Sequence, residues 1–439
     1  MTNSLTLTAE QHAVLQKYLF PGDGLESAAI LICRFCGPFN ERLIVSQIIN
    51  VPDDMCTQRT PKFISWPGGC IENAIDQAEQ NGDAIILAHS HPGGMFAFSK
   101  IDNESDACTM PALFSAIGAN GFLHGSAIMI PNGSMKARIY QNDGTNRPIL
   151  HITKIGHDIS DISVATPQQV MAFGSAMTKW LSEQTACVIG VSGTGSIVAE
   201  LLARKGVGHL ILIDFDTVEE KNLNRIVNST TFDARQNRSK VAMMAEAIGK
   251  YSPSTKITSI HASLNDRDAV VAASAADILF SCVDSVSGRS VAELICQSCL
   301  IPLIDLGVTI PTRVDQKGDP QIADICGRID FVRPDGPSLS DRLVVTPEGL
   351  RREYLLLHAP EAAEQEIEAG YIKGVHEEAP SVMALNMRAA SDAVMEWLAR
   401  QFCYRHDANA CYARTIFSLS GGEVDYDSEH VRIPGSSGH

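Results

Sequence analysis

The chain of 439 residues is 45% hydrophobic and 20% charged, an ordinary composition for a globular protein of two or three domains. Its formal net charge of −16 argues against a nucleic-acid partner, because binding phosphates requires a basic surface. The N-terminal stretch lacks the basic and apolar regions of a signal peptide, and no apolar run approaches the roughly 18 residues of a membrane helix. The twelve cysteines follow no disulfide framework. These features predict a cytoplasmic protein that binds neither nucleic acid nor a membrane.

The first 150 residues or so alternate between helical and strand patterns. This mixture predicts an α+β domain over residues 1–154, and the weakly periodic, polar stretch at 155–166 is interpreted as a linker. Apolar patterns predict helices at 9–20 and Ile71–Gln80, and strands at Ala28–Cys36, Arg42–Val51, Ala84–His89, His124–Pro131 and Ala137–Tyr140.

Two histidines end the predicted strand Ala84–His89 and begin the loop after it. His89 and His91 are two residues apart, so on a strand they project from the same face. Asp102 can return across the loop as a carboxylate ligand. Two imidazoles and one carboxylate leave zinc an open fourth position, the arrangement of a catalytic rather than a structural site.

The spacing of His89, His91, Ser99 and Asp102, H-x-H-x7-S-x2-D, resembles the motif of the JAMM/MPN metalloproteases and matches it without a gap. The resemblance implies a zinc hydrolase that cleaves amide or isopeptide bonds. It further implies that Glu26, at the start of the first long strand, is the general base and that Ser99 helps to hold the tetrahedral oxyanion. The alternative is a pair of loop histidines beside a capping serine and aspartate.

A glycine-rich turn follows a buried strand at 186–191. It leads into a helix at 197–205 and then into a second strand that ends at Asp214. Such a βαβ start lets phosphates approach a helix N-terminus, and an acid after the second strand can bond a ribose hydroxyl. The pattern is imperfect as a G-x-G-x-x-G, because Ser192 occupies the position of the second glycine. Taken alone, such a turn is a signal shared with NAD dehydrogenases. The turn residues assigned to the nucleotide are Gly190, Ser192, Gly193 and Gly195.

The segment Asp214–Arg225 resembles the signature of the ThiF, MoeB and ubiquitin-activating family of adenylating enzymes. The resemblance implies a Rossmann-like, doubly wound α/β domain over 167–439 that binds ATP and Mg²⁺ rather than NAD. The alternative is that Arg225 and Lys240 are solvated charges on helices and that Asp284 is a turn residue. The resemblance places Asp214 at the ribose, Asn222 and Arg225 near the phosphates, Lys240 on a phosphate and Asp284 at Mg²⁺.

The chain departs from this family where relatives carry cysteines. In the segment Val332–Asp341, Ser338 and Asp341 stand in place of a C-x-x-C pair, so the family's structural zinc is expected to be absent. Three fates of the activated acyl group remain open. It passes directly to a partner thiol, it forms an oxyester on Ser338 or Ser340, or it transfers to a cysteine such as Cys326. The chain differs from the family at two further places. The segment Gly370–His376 contains no cysteine, and Gln168 stands where relatives carry an arginine.

Together the two resemblances predict a fusion of opposed enzymes, as in prokaryotic ubiquitin-like pathways. The C-terminal domain would adenylate the C-terminus of a ubiquitin-like protein, and the zinc domain would cleave its precursor or isopeptide conjugates. The expected partners are a ubiquitin-like or sulfur-carrier protein ending in glycine, a conjugating enzyme and, by resemblance, a second copy of the chain. Two alternatives are activation and processing of a sulfur carrier for thiocarboxylate formation, and a non-catalytic scaffold with degenerate sites.

Overall fold

The computed structural model describes residues 4–40, 42–117, 123–166, 171–315, 317–361, 382–402 and 404–429. It divides into two compact units, Met1–Gln168 and Gln169–His439. No helix in these described ranges combines the length and apolar character that crossing a bilayer requires.

The first unit is a mixed α/β structure. Its helices are α1 (Ala9–Leu19), α2 (Glu72–Asn81) and α3 (Lys100–Ile117). Its strands are β1 (Ser4–Thr8), β2 (Ala28–Cys36), β3 (Arg42–Asn50), β4 (Gln58–Thr60), β5 (Phe63–Ser65), β6 (Ala84–Ser90), β7 (His124–Met129), β8 (Met135–Tyr140), β9 (Asn146–Pro148), β10 (His151–Ile155) and β11 (Ile159–Asp161).

Nine of these strands form one sheet in the order β11-β10-β1-β3-β2-β6-β7-β8-β9, while β4 and β5 form a separate hairpin. The inner strand β2 is antiparallel to both β3 and β6 and is buried on both faces over its first half. Because successive side chains alternate between faces, Leu31 packs with Leu15 of α1 while Ile30 packs with Met110 of α3. Helices therefore cover both faces, which confirms the predicted mixed α/β character of this half.

The stretch at 155–166 differs from its interpretation as a linker, because it begins inside this sheet. β10 pairs in parallel with β1, and β11 pairs in antiparallel with β10. Ile155 and Ile159 are both buried. The boundary expected at residue 154 therefore falls within a strand. β11 is only three residues long, too short for its own pattern to reveal it, and pairing with distant residues makes it part of the sheet.

The second unit contains helices α4 (Ser175–Ser182), α5 (Gly193–Arg204), α6 (Thr231–Arg235), α7 (Lys240–Tyr251), α8 (Arg267–Ala273), α9 (Val286–Ser298), α10 (Pro347–His358) and α11 (Met383–Gln401). Its strands are β12 (Thr185–Ile189), β13 (His209–Ile213), β14 (Lys256–Ile260), β15 (Ile278–Ser281), β16 (Leu303–Thr309), β17 (Thr312–Val314), β18 (Pro320–Ile322), β19 (Cys326–Val332), β20 (Arg414–Ser418) and β21 (Glu423–Asp427).

Eight of these strands form a sheet in the order β14-β13-β12-β15-β16-β19-β20-β21. The first five are parallel and the last three are antiparallel additions. On β15, Leu279 packs with Ile295 of α9, whereas Phe280 contacts Trp397 of α11 with ring centroids 6.1 Å apart. Helices thus cover both faces, which confirms the predicted doubly wound fold. The strand order reverses between β12 and β15, where such sheets bind ligands at their carboxyl ends.

Candidate functional site

In the first unit, three side chains of the predicted metal motif converge. His89 is on β6, His91 follows that strand, and Asp102 is in the first turn of α3. The two Nε2 atoms are 3.2 Å apart, and the carboxylate oxygens of Asp102 lie 3.3 Å from His89 Nε2 and 3.4 Å from His91 Nε2. Among the described residues, these three form the one group of at least three potential ligands within 4.8 Å of one another.

The orientation of the His91 ring suits a metal ligand. Its Nδ1 lies 2.8 Å from the carbonyl oxygen of Met95 and must donate to it. In the neutral ring this leaves Nε2 unprotonated and directed at His89 and Asp102. His91 is only 4% exposed. The donor set of two imidazoles and a carboxylate fits zinc.

Ser99 positions Asp102 at the start of α3. The backbone N–H of Ser99 donates to Asp102 Oδ2 at 2.5 Å, and the N–H of Asp102 donates to Ser99 Oγ at 3.1 Å. The hydroxyl proton of Ser99 is not used in this pair. Burial raises the pKa of Asp102, but hydrogen bonds from His89 and His91 outweigh it and lower the pKa overall.

Glu26 is held beside this group by a hairpin that sequence patterns missed. Its N–H donates to the carbonyl of Thr60 on β4 at 3.0 Å, and its carbonyl accepts from Arg59 Nε at 3.0 Å. Glu26 is 4% exposed, and burial raises the pKa of its carboxyl, while His89 and His91 oppose that rise. A carboxylate with a raised pKa is a stronger base, as a general base requires.

In the second unit, the glycine-rich turn lies at the carboxyl end of β12. Gly190 has a φ of +85°, and a Cβ there would lie 3.0 Å from the carbonyl oxygen of Cys282. A Cβ on Gly195 would lie 1.8 Å from the carbonyl oxygen of Gly190. α5 begins at Gly193, and the Ser192 side chain makes no capping hydrogen bond. The first-turn N–H groups of α5 are therefore suited to an anion.

The two acids after β13, Asp214 and Asp216, differ in exposure and in their hydrogen-bond partners. The Asp214 oxygens accept from the N–H groups of Val191 at 2.7 Å and Asp216 at 2.8 Å. Burial raises the pKa of Asp214, which is 7% exposed. The Asp216 side chain is 48% exposed and binds Lys240 Nζ at 2.6 Å. Asp216 is thus the accessible acid, and the D-x-D spacing was the signal that could have identified it.

The remaining predicted nucleotide residues lie after β13 and β15. Asn222 is 3% exposed, and its Oδ1 accepts from the N–H of Glu219 at 3.2 Å, so it stabilises the local turn. Arg225 is half-buried. Asp284 is exposed directly before Ser285, whose side chain caps α9. These residues follow strands whose carboxyl ends share one edge of the sheet.

The candidate acyl acceptors show little activation. Ser338 Oγ donates to Asp341 Oδ2 at 2.7 Å, and this hydrogen bond lowers the pKa of Asp341, which makes that carboxylate a weak base. Ser340 is exposed. Burial raises the pKa of the Cys326 thiol, so little thiolate is present near neutral pH. Gln168 and Gly370–His376 lie outside the described residues.

Each half of the chain matches a known protein family model. Residues 10–139 match the family model for prokaryotic homologs of the JAB domain, and residues 166–324 match the ThiF family model. Molybdopterin-synthase adenylyltransferase of Escherichia coli strain K12 is 31% identical over 124 residues, which are 28% of this chain and 49% of that protein. Ubiquitin-like modifier-activating enzyme 5 of Drosophila persimilis is 26% identical over 166 residues, 35% of this chain and 39% of that protein.

The chain therefore spans half or less of the length of these curated relatives. Among solved structures, that of E. coli MccB with ATP is 17% identical and has a TM-score of 0.44, over 60% of this chain and 68% of that chain.

Proposed function

The chain joins a JAB domain of the prokaryotic type to a ThiF domain, and from this we propose that it both activates and releases one small protein. The ThiF domain adenylates the C-terminal carboxylate of a ubiquitin-like or sulfur-carrier protein ending in glycine. The JAB domain hydrolyses the bond after that glycine, in a precursor or in an isopeptide conjugate. Two catalytic centres on one polypeptide would then act on the same protein terminus.

The adenylating function is supported chiefly by the close approach of Gly190 and Gly195 at the carboxyl end of β12. Turn and helix N–H groups would hold the phosphates, and Lys240 would bind one of them. In the reaction, a carboxylate oxygen of the small protein attacks the α-phosphorus, and pyrophosphate leaves. Asp284 would hold Mg²⁺, which when bound offsets the phosphate charge. Arg225 would stabilise charge on the phosphate oxygens.

The hydrolytic function is supported by the convergence of His89, His91 and Asp102 beside the buried Glu26. The first three residues would hold zinc, which when bound acidifies water and polarises a carbonyl. Glu26 would accept the proton of the attacking water on its carboxylate and release it to the departing nitrogen. The hydroxyl proton of Ser99, which the pair with Asp102 does not use, would stabilise the oxyanion.

Direct transfer of the acyl group to a partner is the version that the geometry favours. Ser338 is bonded to a weakly basic carboxylate, and Cys326 has a raised thiol pKa. Neither side chain is therefore activated as the nucleophile that a covalent intermediate requires. We therefore propose that the adenylate passes to a thiol of a conjugating enzyme.

Sulfur-carrier activation is a second candidate for the same centre, and the similarity to a molybdopterin-synthase adenylyltransferase favours it. Both candidates share the adenylate and diverge after it. A conjugating role ends in an isopeptide or thioester with another protein, whereas a sulfur-carrier role ends in a thiocarboxylate on the small protein itself. Intact-mass analysis of the small protein after incubation with ATP and cell extract would separate the two products.

ATP–pyrophosphate exchange tests the adenylating function. The chain is incubated in turn with each ubiquitin-like or sulfur-carrier protein of the same genome that ends in glycine. We expect exchange with one of them and its loss in Asp284→Asn, while Asp268→Asn, on α8, leaves the rate unchanged. Absence of exchange with every such protein, at confirmed folding of the chain, would refute the proposal.

A further inference from the structure

The second unit contains a cavity of about 430 Å³ beside β16, β19 and β20. This volume lies within the range of about 300–1,000 Å³ that is usual for ligand pockets. None of the described residues that line it is acidic, although the chain as a whole carries a net charge of −16. The lining includes four arginines, Arg289, Arg328, Arg342 and Arg414.

Two completely buried carboxylates hold these guanidinium groups in place. Asp305 Oδ2 accepts from Arg289 at 2.5 Å and from Arg328 at 2.7 Å. Asp330 accepts from Arg328, from Arg342 at 3.1 Å and from Arg414 at 2.7 Å. Four positive charges therefore face two negative ones, both at 0% exposure, and the walls retain an excess of positive charge.

Further acids lie near the cavity without lining it, among them Asp324, which acts electrostatically on the lining residue Cys326. Glu293 and Asp341 both act on Arg342 electrostatically. The Glu293 carboxylate accepts from the N–H of Leu339 at 2.6 Å, and that of Asp341 accepts from Ser338. Neither acid lines the cavity.

Two glycines in strand interiors are part of the cavity lining. These are Gly307 on β16 and Gly327 on β19. A Cβ on Gly307 would lie 3.2 Å from Arg328 Nε, and one on Gly327 would lie 2.5 Å from the ring of Phe417. Glycine within a strand often marks a close approach by another group. Here a side chain on Gly307 would press on Arg328, which lines the cavity, and one on Gly327 would press on the buried ring of Phe417, which does not.

The rim of the cavity is apolar and strained. Leu343 is 81% exposed and has a φ of +57°, a left-handed conformation that non-glycine residues rarely adopt. Ile416 on β20 is 38% exposed. Such strain tends to occur at ligand sites. An apolar rim over a cationic wall suits a peptide segment that carries an acidic side chain.

The cavity also adjoins the nucleotide edge of the sheet. Arg289 lines it and donates through Nη2 to the carbonyl of Val283 at 2.6 Å. Val283 directly precedes Asp284. On the same side, Ser281 at the end of β15 pairs with Asp305 of β16. A chain terminus bound at the nucleotide edge would therefore have its preceding residues within reach of the arginines.

We propose that the cavity binds an aspartate or glutamate side chain in the C-terminal tail of the protein that the ThiF domain adenylates. The inference rests on the proposed adenylating function and specifies its substrate class, a glycine-ended tail with a carboxylate side chain a few residues before the end. Guanidinium groups bind carboxylates through charge-assisted, often bidentate, hydrogen bonds, and this would discriminate acidic tails from neutral ones.

Fluorescence anisotropy of labelled peptides tests the inference without ATP. The probes are ten-residue peptides that end in glycine, with glutamate moved through the preceding positions of a neutral background, and glutamine peptides as matched partners. At one or two positions we expect glutamate to bind about tenfold more tightly than glutamine, as a charge-assisted hydrogen bond implies. The difference should shrink as salt concentration rises.

Arg414→Gln is the test variant, because the buried Asp330 carboxylate still has ion pairs with Arg328 and Arg342 when the Arg414 guanidinium is removed. We expect it to abolish the preference for glutamate, and Arg414→Lys to retain part of it. Arg333→Gln is the matched control. The side chains of Arg333 and Arg414 are 18% and 17% exposed, and both are ion-paired, but Arg333 lies outside the cavity lining. Melting temperatures of the variants verify folding.

Three results would overturn the inference: no peptide binding, no preference for glutamate at any position, or a preference that Arg414→Gln leaves intact. Saturable binding of inorganic phosphate that depends on Arg414, without a glutamate preference, would assign the cavity to a free anion. Failure of the adenylating function is distinguishable, because it would remove ATP–pyrophosphate exchange while glutamate-dependent peptide binding persisted.

Discussion

The Nζ atom of Lys240 lies 2.6 Å from Oδ2 of Asp216 and 4.0 Å from Oδ1 of Asp214. The Lys240 side chain, which is 5% exposed, therefore lies within ion-pair distance of both acids that follow β13. Since Asp214 is already bonded to two backbone N–H groups, Asp216 is the group that would compete with a phosphate for this ammonium in the proposed function. The pair connects the start of α7 to the nucleotide edge.

Replacing this ammonium tests the phosphate role. We expect Lys240→Met to lower ATP–pyrophosphate exchange by about 10²–10³-fold, the usual cost of removing one group that stabilises developing charge. Lys250→Met on the same helix is the control, because Lys250 is 70% exposed and pairs only with Glu246 among the described residues. Equal exchange rates for the two variants would exclude a phosphate role for Lys240.

Metal content tests the histidine group directly. Elemental analysis of the purified chain should give about one zinc ion per chain. We expect His91→Ala and dialysis against a chelator each to remove it. His151→Ala, which affects a partly exposed histidine paired with Asp161, should retain the metal. Zinc that survives in His91→Ala would show that His91 is not a ligand.

Glu26→Gln separates a general base from a metal ligand. The substrate is the small protein identified by exchange, fused through its terminal glycine to a reporter. We expect cleavage to fall by about 10²–10⁴-fold, because an amide cannot accept the proton, while zinc content stays unchanged. Glu104→Gln on α3, at an exposed ion pair with Lys100, should cleave normally. If Glu26→Gln also lost zinc, the residue would be reassigned as a ligand.

A Gly→Ala change at Gly195 tests the glycine-rich turn. In Gly195→Ala, the added Cβ would lie 1.8 Å from the carbonyl oxygen of Gly190, so the turn must move. We expect ATP binding to be lost and the free energy of unfolding to fall by about 1–3 kcal/mol.

The exposed helical residue Gly249 provides the control for this change. A Cβ at Gly249 meets nothing within 4 Å, so Gly249→Ala in α7 should stabilise the protein by about 0.5–1 kcal/mol. Calorimetry and ATP titration measure both quantities. Normal ATP affinity in Gly195→Ala would place the nucleotide elsewhere.

Short-range patterns determined much of this protein. The spacing of His89, His91 and Asp102 is local, so a strand, a loop and one helical turn suffice to bring the three side chains together. The β12–α5–β13 unit is likewise contiguous, and its pattern predicted a βαβ start. The resemblance of Asp214–Arg225 to the ThiF family implied the doubly wound fold that the structure and the ThiF match confirm. In both cases the geometry follows from backbone rules acting over a few residues.

Only the tertiary structure decided the rest, because it depends on sheet register and burial. The backbone of Glu26 is held beside the histidines by hydrogen bonds to the β4–β5 hairpin, whose strands are too short to show a sequence pattern. The difference in accessibility between Asp214 and Asp216 depends on tertiary contacts, because backbone N–H groups occupy the Asp214 oxygens. The four arginines of the cavity come from separate segments that meet on β16, β19 and β20, so no spacing in the sequence could have revealed them.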